Sequence, residues 1–133
     1  MVQLPRRLAL ILTSGLLVMA AAASTAPAVS AKDGDVIETG SCSGSADWKL
    51  KLSPDNGRIE VEFEVDTNRN GQTWHVKVKR NGNVLASGSR VTQAPSGSFE
   101  FRTRVSNRAG ADTIVARAVN RASSQVCRGV ATI

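Results

Sequence analysis

Residues 59–66 alternate without a break: Ile59, Val61, Phe63 and Val65 are apolar, and Glu60, Glu62, Glu64 and Asp66 are acidic. Successive side chains of a β-strand point to opposite faces, so this period of two puts every apolar group on one side and every carboxylate on the other. A strand of this kind needs a core to cover its apolar face, and the rest of the chain is read for elements that supply one.

The same pattern recurs about every ten residues, and no stretch after residue 31 sustains a helical period. Asp47–Leu52 sends Trp48, Leu50 and Leu52 to one face, with Asp47, Lys49 and Lys51 on the other. A turn over Ser53–Gly57 then predicts a hairpin pairing Trp48 with Phe63, Leu50 with Val61 and Leu52 with Ile59. That register also sets Lys49 opposite Glu62 and Lys51 opposite Glu60. In Thr73–Arg80, Trp74, Val76 and Val78 face inward, and His75, Lys77 and Lys79 outward. Asn81-Gly82 is a strong hairpin signal, and the returning Val84–Ser89 run is expected to set Leu85 across from Val78. Arg90–Gly97 reads as irregular, since Pro95 argues against a central strand. Ser98–Val105, Asp112–Asn120 and Gln125–Ile133 complete seven strands. The expected fold is all-β, a two-sheet sandwich over Ala46–Ile133, with the second and third runs in opposite sheets.

What precedes that domain has a different character. Met1–Arg7 carries Arg6 and Arg7, Leu8–Ala23 is almost wholly apolar, and the segment ending Val29-Ser30-Ala31 is small and polar. Basic, apolar and small-residue parts in that order make a secretory signal peptide over residues 1–31, with cleavage expected before Lys32 and no membrane anchor left afterwards. The apolar part is short for a membrane span, which needs about 20 residues. Residues 32–45, rich in Gly and Ser, read as a flexible leading arm. The expected location is extracellular. There the two cysteines, Cys42 and Cys127, form one disulfide that closes the sandwich.

The inward Trp74, the Asn81-Gly82 hairpin after its strand and the later Arg117-Ala118-Val119-Asn120 resemble features of immunoglobulin-like and fibronectin-type-III sandwiches. The chain departs from them in having no Tyr, hence no tyrosine corner, and in carrying its cysteines near the domain ends. It also resembles small secreted proteins of high-GC, actinobacterial-type bacteria. These resemblances imply a fold and a compartment, not an activity.

Charge is unevenly divided. Residues 32–66 hold nine acids and four bases, and residues 67–133 hold two acids and eleven bases. In a sandwich, one sheet's outer face would show Lys77, Lys79, Arg117 and Arg128 among Val115, Val119, Val126 and Val130, with Arg117 opposite Arg128. Like charges placed opposite each other cost stability, and an anionic partner would offset that cost. These four basic residues are the expected ligand-binding residues of a non-enzymatic module, and the partner expected is an anionic cell-envelope polymer or a protein. Nucleic acid is not expected, because the few aromatic side chains all fall on inward faces.

Other motifs point more weakly to chemistry. His75, the single histidine, sits mid-strand with no local sign of a nucleophile and an orienting acid. Glu60, Glu62 and Glu64 read as a solvated face with lysine partners. Asp66–Gly71 matches the opening of a calcium loop, but Lys77 occupies the position of the closing bidentate Glu. No catalytic residue, metal or cofactor is expected. The alternative is a small secreted hydrolase or a protease inhibitor presenting Arg69 or Arg108 on a loop.

Overall fold

The computed structural model describes residues 34–133, so the leader and its cleavage point lie outside the described residues. Eight strands follow in order: β1 (Val36–Ser41), β2 (Asp47–Asp55), β3 (Arg58–Asp66), β4 (Thr73–Arg80), β5 (Asn83–Val91), β6 (Ser98–Ser106), β7 (Thr113–Asn120) and β8 (Gln125–Thr132). They form two four-stranded antiparallel sheets, ordered β1-β2-β3-β6 and β5-β4-β7-β8. β3 and β4 are in opposite sheets, as expected, so the glutamates of β3 do not pair with the lysines of β4.

The inner faces share one core. Leu50, Leu52, Val61 and Phe63 of the first sheet meet Trp74, Val76, Ile114 and Ala116 of the second, all buried. Every one of these positions follows from the period of two.

The eighth strand is β1, inside the segment expected to be a flexible arm. It pairs with β2 from Val36↔Leu52 to Ser41↔Asp47. Its two apolar residues, Val36 and Ile37, are adjacent, so the sequence shows no alternation there.

The β2–β3 register differs from the expected one by two residues. Leu50 faces Phe63, Leu52 faces Val61, Lys49 faces Glu64 and Lys51 faces Glu62. The cause is the turn. Asn56 (φ 48°) and Gly57 (φ 76°) both adopt the left-handed region, which makes a two-residue turn closed by Asp55 and Arg58, and Ser53–Asp55 remain in the strand. Asn81 and Gly82 make the same turn between β4 and β5. There a bulge between Val78 and Lys79 puts Val78 opposite Ala86 instead of Leu85. β5 also runs on to Val91, through residues expected to be irregular.

One corner is closed covalently. Cys42, just after β1, bonds Cys127 of β8 across 85 residues, as expected. On the chain-entropy account, closing a loop of that length stabilises the fold by about 4.5 kcal/mol. Beside it the Trp48 ring lies between Gly40 and Gly129. A Cβ on Gly40 would come within 2.7 Å of the ring, and one on Gly129 within 2.8 Å. At the opposite end Arg80 turns into the core. It pairs with buried Asp112 at 3.8 Å and donates to the Ser106 carbonyl. Asp112 also exchanges backbone hydrogen bonds with Ile133.

Gly129→Ala is expected to lower stability by about 1–3 kcal/mol, since the added methyl must displace Trp48. Thr132→Ala, exposed on the same strand, loses only its hydroxyl contact with Thr113 and is expected to cost about 0.2–1 kcal/mol. Urea unfolding of the two variants measures both, and an unchanged Gly129→Ala midpoint would contradict the packing described.

Candidate functional site: a basic sheet face

β5, β4, β7 and β8 contain no Asp or Glu. Their core-facing residues fix the phase of the sheet, so Lys77, Arg117 and Arg128 emerge on its outer face as a row of direct neighbours across three strands. Adjacent strands lie about 4.8 Å apart, so the row sets three positive charges side by side. The row above it is Ser89, His75, Val119 and Val126, and the row below is Val84, Lys79, Val115 and Val130. Val84 and Val130 are 55% and 38% exposed. The four basic residues expected to form a ligand surface are therefore together and exposed. They line one shallow depression of about 360 Å³, with Gly82 and Val115.

A second depression, of about 450 Å³, adjoins the first and shares Lys77 and Arg117 with it. Its other lining residues include His75, Ser87, Ser89 and Arg121. The Ser89 hydroxyl and His75 Nδ1 are hydrogen-bonded at 2.9 Å. Arg121 opens the β7–β8 turn, which is held by the buried Asn120, whose Oδ1 accepts the N–H groups of Ala122 and Ser123. Sequence reasoning missed Arg121, Ser87 and Ser89 as members of the site. Arg121 lies in a turn, where the alternation no longer applies, and the two serines join only through the β4–β5 register.

The opposite sheet treats charge differently. There Lys51, Glu62 and Arg102 form a row that alternates in sign, while Glu64 faces Glu100 and Asp47 faces Asp66 in other rows. Arg102 reaches Glu100, Glu62 and Glu60 at 2.7, 3.0 and 3.3 Å, and Arg104 reaches Asp55 and Glu60, each at 3.3 Å. Lys49 pairs with Glu64 at 3.0 Å. The three glutamates thus lie on an ion-paired outer face, whose second set of partners comes from β6 as well as from the lysines. Burial, then the hydrogen bond that it donates to Glu60, raises the Glu62 carboxyl above its ordinary range. That same contact with Glu62, joined by Arg104 and Arg102, holds Glu60 below it. The Glu100 hydrogen bond holds the Arg102 guanidinium above its ordinary value. No ion pair among the described residues involves Lys77, Lys79, Arg117 or Arg128.

The remaining motifs fall elsewhere. In the Asp66–Gly71 loop, Asp66 Oδ1 accepts the Asn68 N–H, and the Arg69 carbonyl accepts the hydroxyls of Thr67 and Thr92. Those loop oxygens are engaged within the protein, and no cluster of three metal-ligating side chains occurs among the described residues. The same two hydroxyls occupy the carbonyl that an inhibitory Arg69 would have to present to a protease's oxyanion hole. Arg108 lies in the β6–β7 loop, where its N–H donates to Asp112 at 3.2 Å.

The chain matches no protein-family model, and no curated protein is similar to it in sequence. Among solved structures it is similar to OgpA from Akkermansia muciniphila, at 14% identity over 74% of this chain and 27% of that one, with a TM-score of 0.40. It is also similar to chicken MD-1 complexed with lipid IVa, at 11% identity over 73% of this chain and 96% of that one, with a TM-score of 0.32. The chain spans about a quarter of the length of OgpA.

Two measurements follow from the two faces. Arg117→Thr removes the centre of the like-charged row and is expected to raise stability by ~0.2–1 kcal/mol in low salt. The gain is expected to shrink at about 1 M salt, where screening acts within a few ångströms; a loss of stability in low salt would contradict the repulsion. Glu62 has the opposite pH signature from an ordinary paired carboxylate. Its raised pKa means that the folded state gains stability as pH falls through it. Glu62→Gln, which imitates the protonated form, is expected to be more stable than the parent near neutrality, with the difference vanishing in acid. Chemical denaturation across pH checks this.

Proposed function

We propose that this chain is a non-enzymatic binding module that works outside the cytoplasm and engages an anionic partner through the outer face of the β5-β4-β7-β8 sheet. The observation that carries this reading is the unbalanced row of Lys77, Arg117 and Arg128, set against the sign-alternating row of the other sheet. A face of one sign focuses its field on anions and raises their local concentration. The valines beside the row give a partner apolar surface to cover as well as charge to neutralise.

The disulfide supports an oxidising compartment, in keeping with the leader expected over residues 1–31. The strand partition supports an immunoglobulin-like type. β6 returns beside β3, while β4, β7 and β8 lie together in the other sheet. The partner class that fits both compartment and charge is an anionic cell-envelope polymer.

Titration of the purified protein with isolated cell-envelope polyanions tests the proposal. Binding is expected to weaken as salt rises. Changing Lys77, Lys79, Arg117 and Arg128 together to Glu is expected to reduce it by roughly tenfold or more. Arg58→Glu, a charge reversal on the other sheet, is expected to leave it nearly intact. Equal losses in both variants, or binding indifferent to salt, would overturn the assignment of this face.

A further inference from the structure

We infer that the depression lined by Lys77, Arg117 and Arg121 is the phosphoryl-binding lobe of this face. This rests on the anion-binding reading above and specifies the chemistry of the group bound. Three permanent cations line the lobe: Lys77, Arg117 and Arg121. The hydroxyl-bearing Ser87 and Ser89 line it too. A guanidinium fork, a compact ammonium and hydroxyl donors together suit a tetrahedral oxyanion that presents several oxygens, as a phosphoryl group does. The neighbouring depression shares Lys77 and Arg117 and adds Lys79 and Arg128. Two adjoining basic lobes match a polymer with phosphate at successive positions better than one isolated anion.

His75 also lines the lobe. It is half-buried, with Ser89 on its Nδ1 and Val119 across from it on β7. The charged groups facing it are Lys77 on its own strand, Arg117 on β7 and Arg121 in the following turn. β5 contributes Ser87 and Ser89, and no carboxylate lines the depression. Every charged group lining the lobe is therefore a cation. One charge about 4 Å from a phosphoryl oxygen in a watery environment changes affinity about fivefold.

The test uses linear inorganic polyphosphate as probe, with polyglutamate and dextran sulfate as carboxylate and sulfate comparators, at constant ionic strength. Polyphosphate is expected to bind more tightly than either comparator. Arg121→Gln, which removes one charge from this lobe and none from its neighbour, is expected to weaken polyphosphate binding about fivefold. Polyphosphate binding that Arg121→Gln leaves unchanged overturns this inference and leaves the anion-binding face standing. Equal affinity for all three polymers overturns the phosphoryl assignment. No salt-sensitive binding of any of the three overturns both.

Discussion

The structure depends on how the sandwich closes at the corner of β1, β2 and β8. Trp48 occupies the space that side chains on Gly40 and Gly129 would need, and the Cys42–Cys127 bond holds the same strands together. Both contacts fix the phase of β8. Cys127 and Gly129 must face inward, so Arg128 and Val130 must face outward. Ile114, Ala116 and Ala118 do the same for β7, and Trp74, Val76 and Val78 for β4. The basic row is therefore a consequence of core packing. Lys77, Arg117 and Arg128 cannot move to another face without a one-residue slip that would expose the core.

The two outer faces show two ways of using that freedom. On the β1-β2-β3-β6 sheet, Lys51, Glu62 and Arg102 alternate in sign, and Arg102 draws three carboxylates together. On the other sheet Lys77, Arg117 and Arg128 repeat one sign across three strands. The first sheet also sets like charges opposite each other, Glu64 with Glu100 and Asp47 with Asp66, but Lys49 pairs with Glu64 at 3.0 Å and Arg102 with Glu100 at 2.7 Å. Among the described residues no ion pair relieves the basic row, and that difference is the physical reason for assigning binding to the second face.

Much of this was legible in the sequence because strand periodicity is local. The inward positions of β2, β3, β4, β6 and β7 all followed from it, as did the outward placement of the four basic residues and the single disulfide. What escaped depends on turns and on partners distant in sequence. Asn56-Gly57 is as strong a turn as Asn81-Gly82, but the polar residues before it looked like loop, and the hairpin register slipped by two. β1 has no alternation to detect; pairing with β2 makes it a strand. Arg80 occupies an inward phase after Trp74, Val76 and Val78, and that signal of a buried charge points to a partner which only the fold identifies as Asp112. Arg121, Ser87 and Ser89 entered the site for the same kind of reason, through register and turn geometry.

The most direct test of the central claim is residue-level mapping of an anionic polymer on the isotope-labelled protein by amide NMR at low salt. The account predicts shifts concentrated at outward positions of β4, β7 and β8 and in the β7–β8 turn, with Lys77, Arg117 and Arg121 prominent and β2, β3 and β6 silent. Shifts centred on the sheet that carries Glu62 and Arg102, or spread evenly over both faces, would contradict it.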